Sequence, residues 1–277
     1  MIDLSDRLEL PSDVRFEGDA LHDLALGEAY PLRGSGIEGM ALLAAGYSIG
    51  DAATSLAAQF DVNPQAVQSD LAAFAFQLSR AQLINLRSSG WRAGLRHILR
   101  VSLFLIVAHR WPPARSRRYP LATGGALAVL WQIASVVGIQ MAPLWFLLIV
   151  PMLLPALLFA PALASALLAL SISLVAAVIV HEGGHAVAAH RIGIGCFLVR
   201  SGWRVAVVHQ NRPDTRWVHA SGPLACGVLG ASGLALAAGF QSLPLAFAAV
   251  PFLVQLLALT VLAQDGRLLA AAKGGDQ

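Results

Sequence analysis

Three residues within five positions carry side chains suited to metal chemistry. His181, Glu182 and His185 form a His-Glu-x-x-His sequence. On an α-helix, residues four positions apart share a face, so both imidazoles can reach the same ion. Glu182 then lies beside that ion, where a carboxylate can accept the proton of a metal-bound water. The spacing predicts a zinc (Zn2+) site with Glu182 as general base; the alternative is a buried histidine pair that holds no metal.

The surrounding composition favours a functional site. Residues 119–180 contain no charged side chain, and His181 and Glu182 end this run of 62 positions. Ionisable groups at membrane depth cost free energy and are retained mainly where they have a function.

A third protein ligand is needed to complete a zinc site. After Glu182 the chain has three acids, Asp214, Asp265 and Asp276. Asp214 lies in a polar turn with arginine neighbours and Asp276 lies in the C-terminal tail, whereas Asp265 follows the uncharged residues 220–264. Asp265 is therefore the preferred third ligand. Three histidines are further candidates: His190, His209 and His219.

The elements that carry these residues are long apolar stretches. Hydrophobic residues make up 57% of the 277 residues and charged residues only 13%. Because a spanning helix needs about 20 apolar residues, residues 119–180 can hold three passes and residues 220–264 two. Val101–His109 has only nine residues, about 14 Å of helix, and is either an interfacial helix or a sixth, short span. A sixth span is preferred; otherwise the region of Pro143, Pro151, Pro155 and Pro161 would be re-entrant. The sequence predicts an α-helical polytopic membrane protein, with about 5–6 transmembrane helices in a lipid bilayer.

Charge divides the chain into unlike parts. Residues 1–86 contain 12 of the 16 acids and have a net charge of −8, while residues 87–277 have a net charge of +11. An acidic head argues against nucleic acid as a partner, because phosphate binding needs lysine and arginine. The following arginines, Arg87 to Arg118, indicate the cytoplasmic side of a membrane. We expect a soluble domain at residues 1–87, a basic juxtamembrane linker at 88–118 and a membrane domain at 119–277.

The N-terminal residues predict a small α+β domain of winged-helix type. Residues 14–18, 21–26 and 28–32 alternate in hydrophobicity and are separated by glycines, as short strands are. Three helices follow: one over Gly36–Ala45, one capped by Ser48 with Asp51 in a capping box, and one opened by Asn63 and Pro64.

This region resembles the PqqD-like family of peptide-recognition domains. The resemblance covers about residues 10–87 and rests on three segments: Gly27-Glu28-Ala-Tyr-Pro-Leu32, Leu42-Leu-Ala-Ala-Gly46-Tyr-Ser-Ile49, and Val67 to Ile84. It implies that a leader peptide adds as a strand to the edge of the small sheet, beside the third helix. The alternative is a regulatory or DNA-binding winged helix, against which the acidic charge argues.

The metal-binding part resembles the site-2 protease family of intramembrane zinc metalloproteases. The resemblance covers about residues 120–272, with His181-Glu-Gly-Gly-His185, Gly222-Pro223-Leu224 and Asp265-Gly266. It implies that His181, His185 and Asp265 bind zinc and that Glu182 is the general base. Two features differ from the family pattern. Cys226 stands where an asparagine is usual, and Leu257–Ala263 lacks the usual Asn and Pro.

Between the two metal-binding segments, Cys196–Val208 predicts a β-hairpin that turns at Ser201-Gly202. Its arginines indicate the cytoplasmic side. Helices over Val218–Phe240 and Leu243–Gln264 would then leave and return to that side. Both metal-binding ends would meet near the cytoplasmic face.

The sequence therefore predicts an intramembrane zinc metalloprotease that hydrolyses peptide bonds. Its substrate would be a ribosomally made peptide precursor whose leader is captured by the cytoplasmic head. A bacterial inner membrane fits this combination. One alternative is cleavage of a membrane-anchored regulator such as an anti-sigma factor; another is a non-catalytic peptide-binding or export partner. Nothing in the sequence indicates an oligomeric state.

Overall fold

A computed structural model describes residues 2–88, 116–122, 125–145, 149–201, 204–210 and 215–260. The chain forms two compact units, one made of residues 1–120 and 197–208, the other of residues 121–196 and 209–277. Helices predominate in the described part, together with small sheets. The predicted combination of a helical protein with a small α+β region is confirmed at this level.

The first unit begins with short antiparallel strands. Strands β2 (Val14–Glu17), β3 (Ala20–Asp23) and β4 (Glu28–Pro31) form a meander, and β1 (Arg7–Glu9) pairs with β5 (Asn85–Arg87). The β2–β3 turn contains Gly18 at φ 62°, a left-handed backbone conformation that is sterically unfavourable for residues with a side chain. The three strands expected before the first helix are confirmed.

Three helices complete the head: α1 (Ser35–Ala44), α2 (Ile49–Phe60) and α3 (Pro64–Arg80). The predicted caps are confirmed, since Ser48 Oγ accepts from the Asp51 amide at 3.1 Å and Asn63 Oδ1 accepts from the Gln65 amide at 2.9 Å. The core buries apolar residues from strands and helices alike: Leu8, Val14, Leu21, Met40, Leu43, Ile49, Leu56, Leu71, Leu78, Leu83 and Ile84.

A second sheet belongs to the same unit. Strands β7 (Cys196–Ser201) and β8 (Arg204–His209) form the predicted hairpin, and β6 (Ser116–Pro120) pairs antiparallel with β7. The register places Ser116 opposite Ser201 and Pro120 opposite Phe197. The sequence assigned residues 116–118 to the linker and 119–120 to the membrane domain. They form a strand because partners distant in sequence satisfy their backbone and side chains.

Arg118 connects β6 to strands and loops of the same unit. Its buried guanidinium bonds to Asp13 at 2.6 Å and to Asp23 at 2.5 Å, and its Cζ lies 3.5 Å from the centre of the Phe197 ring. The side chain of Asn85 bonds to both the N–H and the C=O of Arg118, at 2.7 and 3.0 Å. Burial by itself would lower the pKa of Arg118, but the hydrogen bonds to Asp23 and Asp13 outweigh it and raise that pKa above its ordinary value.

The second unit consists of helices. They are α4 (Ala126–Leu144), α5 (Val150–Phe159), α6 (Pro161–Arg191), α7 (Arg216–Phe240) and α8 (Leu243–Val254), and a 3₁₀ segment, Gln255–Leu259, continues α8. Helix α6 packs against α4, α7 and α8, so it is the central helix of this unit.

Two helices of the described residues, Pro161–Arg191 and Arg216–Phe240, are long and apolar enough to cross a membrane. The number of spans, five or six, stays a prediction, and Val101–His109 lies outside the described residues. The helices of this unit also expose large apolar side chains, a surface that suits lipid better than water. The most exposed are Leu127, Trp131, Ile139, Leu158, Phe159, Trp217, Val228 and Phe240.

Candidate metal centre

Helix α6 positions the three residues of the His-Glu-x-x-His sequence near its C-terminal end. His181, Glu182 and His185 are 7%, 9% and 5% exposed, respectively. Their helical spacing places the two histidines on one face of α6, as the sequence predicted. The helix can be this regular because Ala and Leu predominate over its first turns and none of its interior residues is proline.

The two imidazoles face each other through the nitrogens that usually bind metal. His181 Nε2 and His185 Nε2 are 3.2 Å apart, with the rings nearly perpendicular at 81°. Two ligands bound at about 2.0–2.1 Å to a tetrahedral zinc ion are about 3.3–3.4 Å apart. The separation of the two nitrogens is therefore close to that of two ligands on one zinc ion.

A backbone contact fixes the orientation of the second imidazole. His185 Nδ1 lies 2.6 Å from the carbonyl oxygen of Val218, on the first turns of α7. As the nitrogen donates its N–H to this oxygen, the neutral ring carries its lone pair on Nε2. Metal-binding histidines commonly make such a hydrogen bond through the nitrogen that faces away from the ion.

Cys226 occupies the position where the resembled family has an asparagine. It is fully buried on α7, and its thiol donates to the carbonyl oxygen of Ala177 at 3.4 Å. Ala177 lies one turn before His181 on α6. The thiol therefore links the two helices next to the site, consistent with the expected role of a small residue packed between helices.

The described residues do not include the aspartates that could serve as the third ligand. Asp265, Asp214 and Asp276 lie outside the described residues. Within the described ranges, no group of three or more His, Cys, Asp or Glu side chains could hold a metal ion. His190 is exposed on α6, and the rings of His209 and His219 lie 4.6 Å apart between centres at an angle of 51°. Among the described residues, none of these three histidines forms a metal-binding group with His181 and His185. Asp265 stays a prediction.

The head offers a second candidate site at the outer edge of β4. Leu32 N donates to Asp19 O at 2.7 Å, and bonded and non-bonded pairs alternate along an antiparallel ladder. The backbone N–H and C=O of Tyr30 therefore bond to β3, whereas the backbone groups of Ala29 and Pro31 point away from β3. Since proline has no N–H, the outward donor of β4 is that of Ala29. This edge can take an added strand, with that amide as a contact.

A tyrosine stands beside this edge. The Tyr30 hydroxyl donates to the Glu28 carboxylate, and burial together with this hydrogen bond raises the pKa of Tyr30 to about 12. The phenol and the Glu28 carboxylate are therefore linked at the start of β4, next to its outer edge.

Two features of the sites were missed in the sequence. In the sequence, Arg118 is one of several arginines in the linker. No local pattern connects it with Asp13 and Asp23, which lie about a hundred positions away. The contact between Val218 O and His185 was also missed, because a backbone acceptor has no signature in side-chain identity. The glycines of the His-Glu-Gly-Gly-His segment and of Gly222-Pro223 were a usable signal, since they permit a close helix crossing.

Comparisons of the chain with family models, with curated proteins and with solved structures gave no match. The functional assignment therefore depends on the geometry of His181, Glu182 and His185 and on the helix that carries them.

Proposed function

We propose that the protein is an intramembrane zinc metalloprotease that hydrolyses peptide bonds, with the N-terminal domain capturing the substrate. The observation that carries the proposal is the 3.2 Å separation of His181 Nε2 and His185 Nε2. These atoms are buried in a helix that is long and apolar enough to cross a membrane. The likeness to site-2 proteases in sequence pattern supports the same reading.

The roles of the residues follow from their chemistry. A bound zinc ion would polarise the scissile carbonyl and acidify a water molecule. His181 and His185 would hold the ion through Nε2, with Asp265 as the third ligand. Glu182, adjacent to His181, would accept the proton of the attacking water and donate it to the leaving amine. The apolar bundle would limit the access of water and of unrelated peptides.

The substrate class follows from the head. Its PqqD-like pattern and the outer edge of β4 support capture of an extended leader peptide, so a ribosomally made peptide precursor is the proposed substrate. We place the head on the cytoplasmic side of a bacterial inner membrane, from the arginine distribution. Five or six spans in the bilayer are part of this proposal.

The decisive experiment compares the full-length wild type with Glu182→Gln in detergent. Zinc content is measured for both, and cleavage is assayed with a library of leader-like peptides. We expect both proteins to bind zinc, whereas only the wild type cleaves, with a loss of about 10²–10⁴-fold in the variant. Wild type without zinc would overturn the proposal and leave a membrane-bound peptide-binding protein. Zinc-loaded wild type that cleaves only membrane-anchored proteins would replace the precursor with a regulator as substrate.

The third ligand has its own test. Asp265→Asn should lower the zinc affinity by an order of magnitude or more, because an amide is a much weaker ligand than a carboxylate. Asp214→Asn is the matched control and should bind zinc like the wild type. Equal zinc affinity of Asp265→Asn and wild type would exclude Asp265 and return the choice to the other candidates.

A further inference from the structure

Gly222 lies directly against the metal-binding nitrogen of His185. A Cβ atom built on Gly222 would be 2.6 Å from His185 Nε2 and 2.5 Å from the carbonyl oxygen of His181. Real Cβ atoms essentially never approach other heavy atoms closer than 3.0 Å. One of the two neighbours is α6 backbone and the other is an imidazole held by a hydrogen bond. Neither can move aside at low cost.

Gly222 belongs to a regular seam between α6 and α7. His185 contacts Val218, His181 contacts Gly222, and Ala177 contacts Cys226. Each step is four residues on both helices, in opposite directions, as expected for two antiparallel helices in register. A displacement at Gly222 would therefore also disturb the Val218 and Cys226 contacts.

The carbonyl oxygen of Val218 accepts two hydrogen bonds at this contact between α6 and α7. It accepts from His185 Nδ1 at 2.6 Å and from Ser221 Oγ at 2.7 Å. The first contact sets the tautomer of His185, and the missing side chain of Gly222 leaves the opposite nitrogen accessible. Val218 and Gly222, both on α7, therefore contact opposite sides of the His185 ring.

We infer that Gly222 is a positioning residue of the zinc site: the lack of a side chain there allows His185 Nε2 to face His181 Nε2, while Val218 O orients the ring. The inference depends on the proposed function, in that zinc is the ion held by the pair. Gly222 has no side chain and carries no catalytic group.

The test is zinc binding by full-length Gly222→Ala in detergent, with Gly239→Ala as the matched control. Gly239 is on the same helix, but a Cβ there meets nothing within 4 Å. Zinc affinity is measured by competition with a chelator, and helix content by circular dichroism. We expect about 10–100-fold weaker zinc binding for Gly222→Ala, as for losses of outer-sphere support. Gly239→Ala should match the wild type.

Wild-type affinity in a folded Gly222→Ala protein would overturn the inference and leave the proposed function intact. Wild type that binds no zinc would instead overturn the proposed function.

A second measurement is made on the wild type and does not depend on how Gly222→Ala folds. ¹⁵N spectra of histidine-labelled, zinc-free protein report the tautomer of each ring, and His185→Ala identifies the signal of His185. A fixed Nδ1–H tautomer before zinc is added is the expected result. An Nε2–H tautomer, or a ring that exchanges between the two, would overturn the inference.

Discussion

At the scale of single residues, Arg118 shows how far a side chain's role can depart from its sequence context. The sequence places it among arginines that flank a membrane domain, yet its side chain is fully buried between two carboxylates. Removing one partner of a buried ion pair leaves an uncompensated charge in the interior, which costs about 3–5 kcal/mol. Its neighbour Arg117 is half-exposed, with Glu9 at 4.0 Å, and such surface pairs contribute little.

We therefore expect Arg118→Met to lower the free energy of unfolding by about 3–5 kcal/mol. Arg117→Met, its matched control, should change it by about 0.5 kcal/mol or less. The measurement is denaturant or thermal unfolding of the full-length protein in detergent, followed by tryptophan fluorescence. Similar stability of the two variants would contradict the structural role of Arg118.

The thiol of Cys196 gives a prediction on pH. Burial raises the pKa of Cys196 from 9.0 to about 11. Because the thiolate is the reactive form, alkylation by iodoacetamide at pH 8 should be about 10–100-fold slower than for a thiol of pKa 9. The rate should continue to rise up to pH about 11, where half of the thiol is ionised. Mass spectrometry of a Cys226→Ala protein measures Cys196 alone, and a rate that levels off near pH 9 would contradict the burial.

At the scale of elements, the crossing of α6 and α7 depends on glycine. A Cβ on Gly184 would meet the Cα of Gly222 at 2.8 Å, which is backbone. A Cβ on Gly183 would meet Leu130 Cδ2 at 2.3 Å, which is the end of a flexible side chain. The first clash forces the helices apart, whereas the second requires only that one leucine change its rotamer.

Gly184→Ala should therefore be more destabilising than Gly183→Ala, by about 1–3 kcal/mol, the usual cost of overpacking. Thermal unfolding of the two full-length proteins in detergent, without added zinc, checks this order. The double variant Gly183→Ala/Leu130→Ala removes the clashing methyl group and distinguishes steric conflict from other effects at Gly183. The reverse order of the two single variants would mean that the helices are not in contact at Gly184 and Gly222.

At the scale of the whole molecule, the proposed capture of the substrate and the proposed hydrolysis of its peptide bond belong to different units. The unit with the acidic head also contains β6 and the β7–β8 hairpin, and the chain continues from that hairpin into the helices on either side of it. A defect at the edge of β4 should thus affect the affinity for a leader-bearing substrate and leave the chemical step unchanged.

Ala29→Pro tests this division, because it removes the outward N–H of β4. We expect KM for a leader-bearing precursor to rise by about tenfold, from one lost main-chain hydrogen bond together with a steric clash. The kcat for a short peptide without the leader should not change. Ala29→Val keeps the N–H and is the control; an equal loss of kcat and affinity in Ala29→Pro would contradict the separation of roles.

Short-range features were predictable from the sequence. The helix that carries His181 and His185, the caps at Ser48 and Asn63, and the β7–β8 hairpin depend on helical periodicity, on capping side chains and on a turn. Each is decided by residues within a few positions of one another, so the local sequence contains the necessary information. The helical spacing of Val67, Leu71, Phe74, Leu78 and Ala81 predicts one buried face on α3. Leu71 and Leu78 are buried there, whereas Ala81 is exposed because it lies at the C-terminal cap, and that part of the prediction was wrong.

The long-range contacts were decided only by the tertiary structure. The pairing of Arg118 with Asp13 and Asp23 spans 105 and 95 positions, and the contact of His185 with Val218 spans 33. Such contacts require chain reversals whose geometry depends on the packing of many residues at once. The side-chain types that could bind zinc were therefore evident in the sequence, whereas the carbonyl that orients one imidazole and the glycine that makes room for it became evident only when α6 and α7 were packed together.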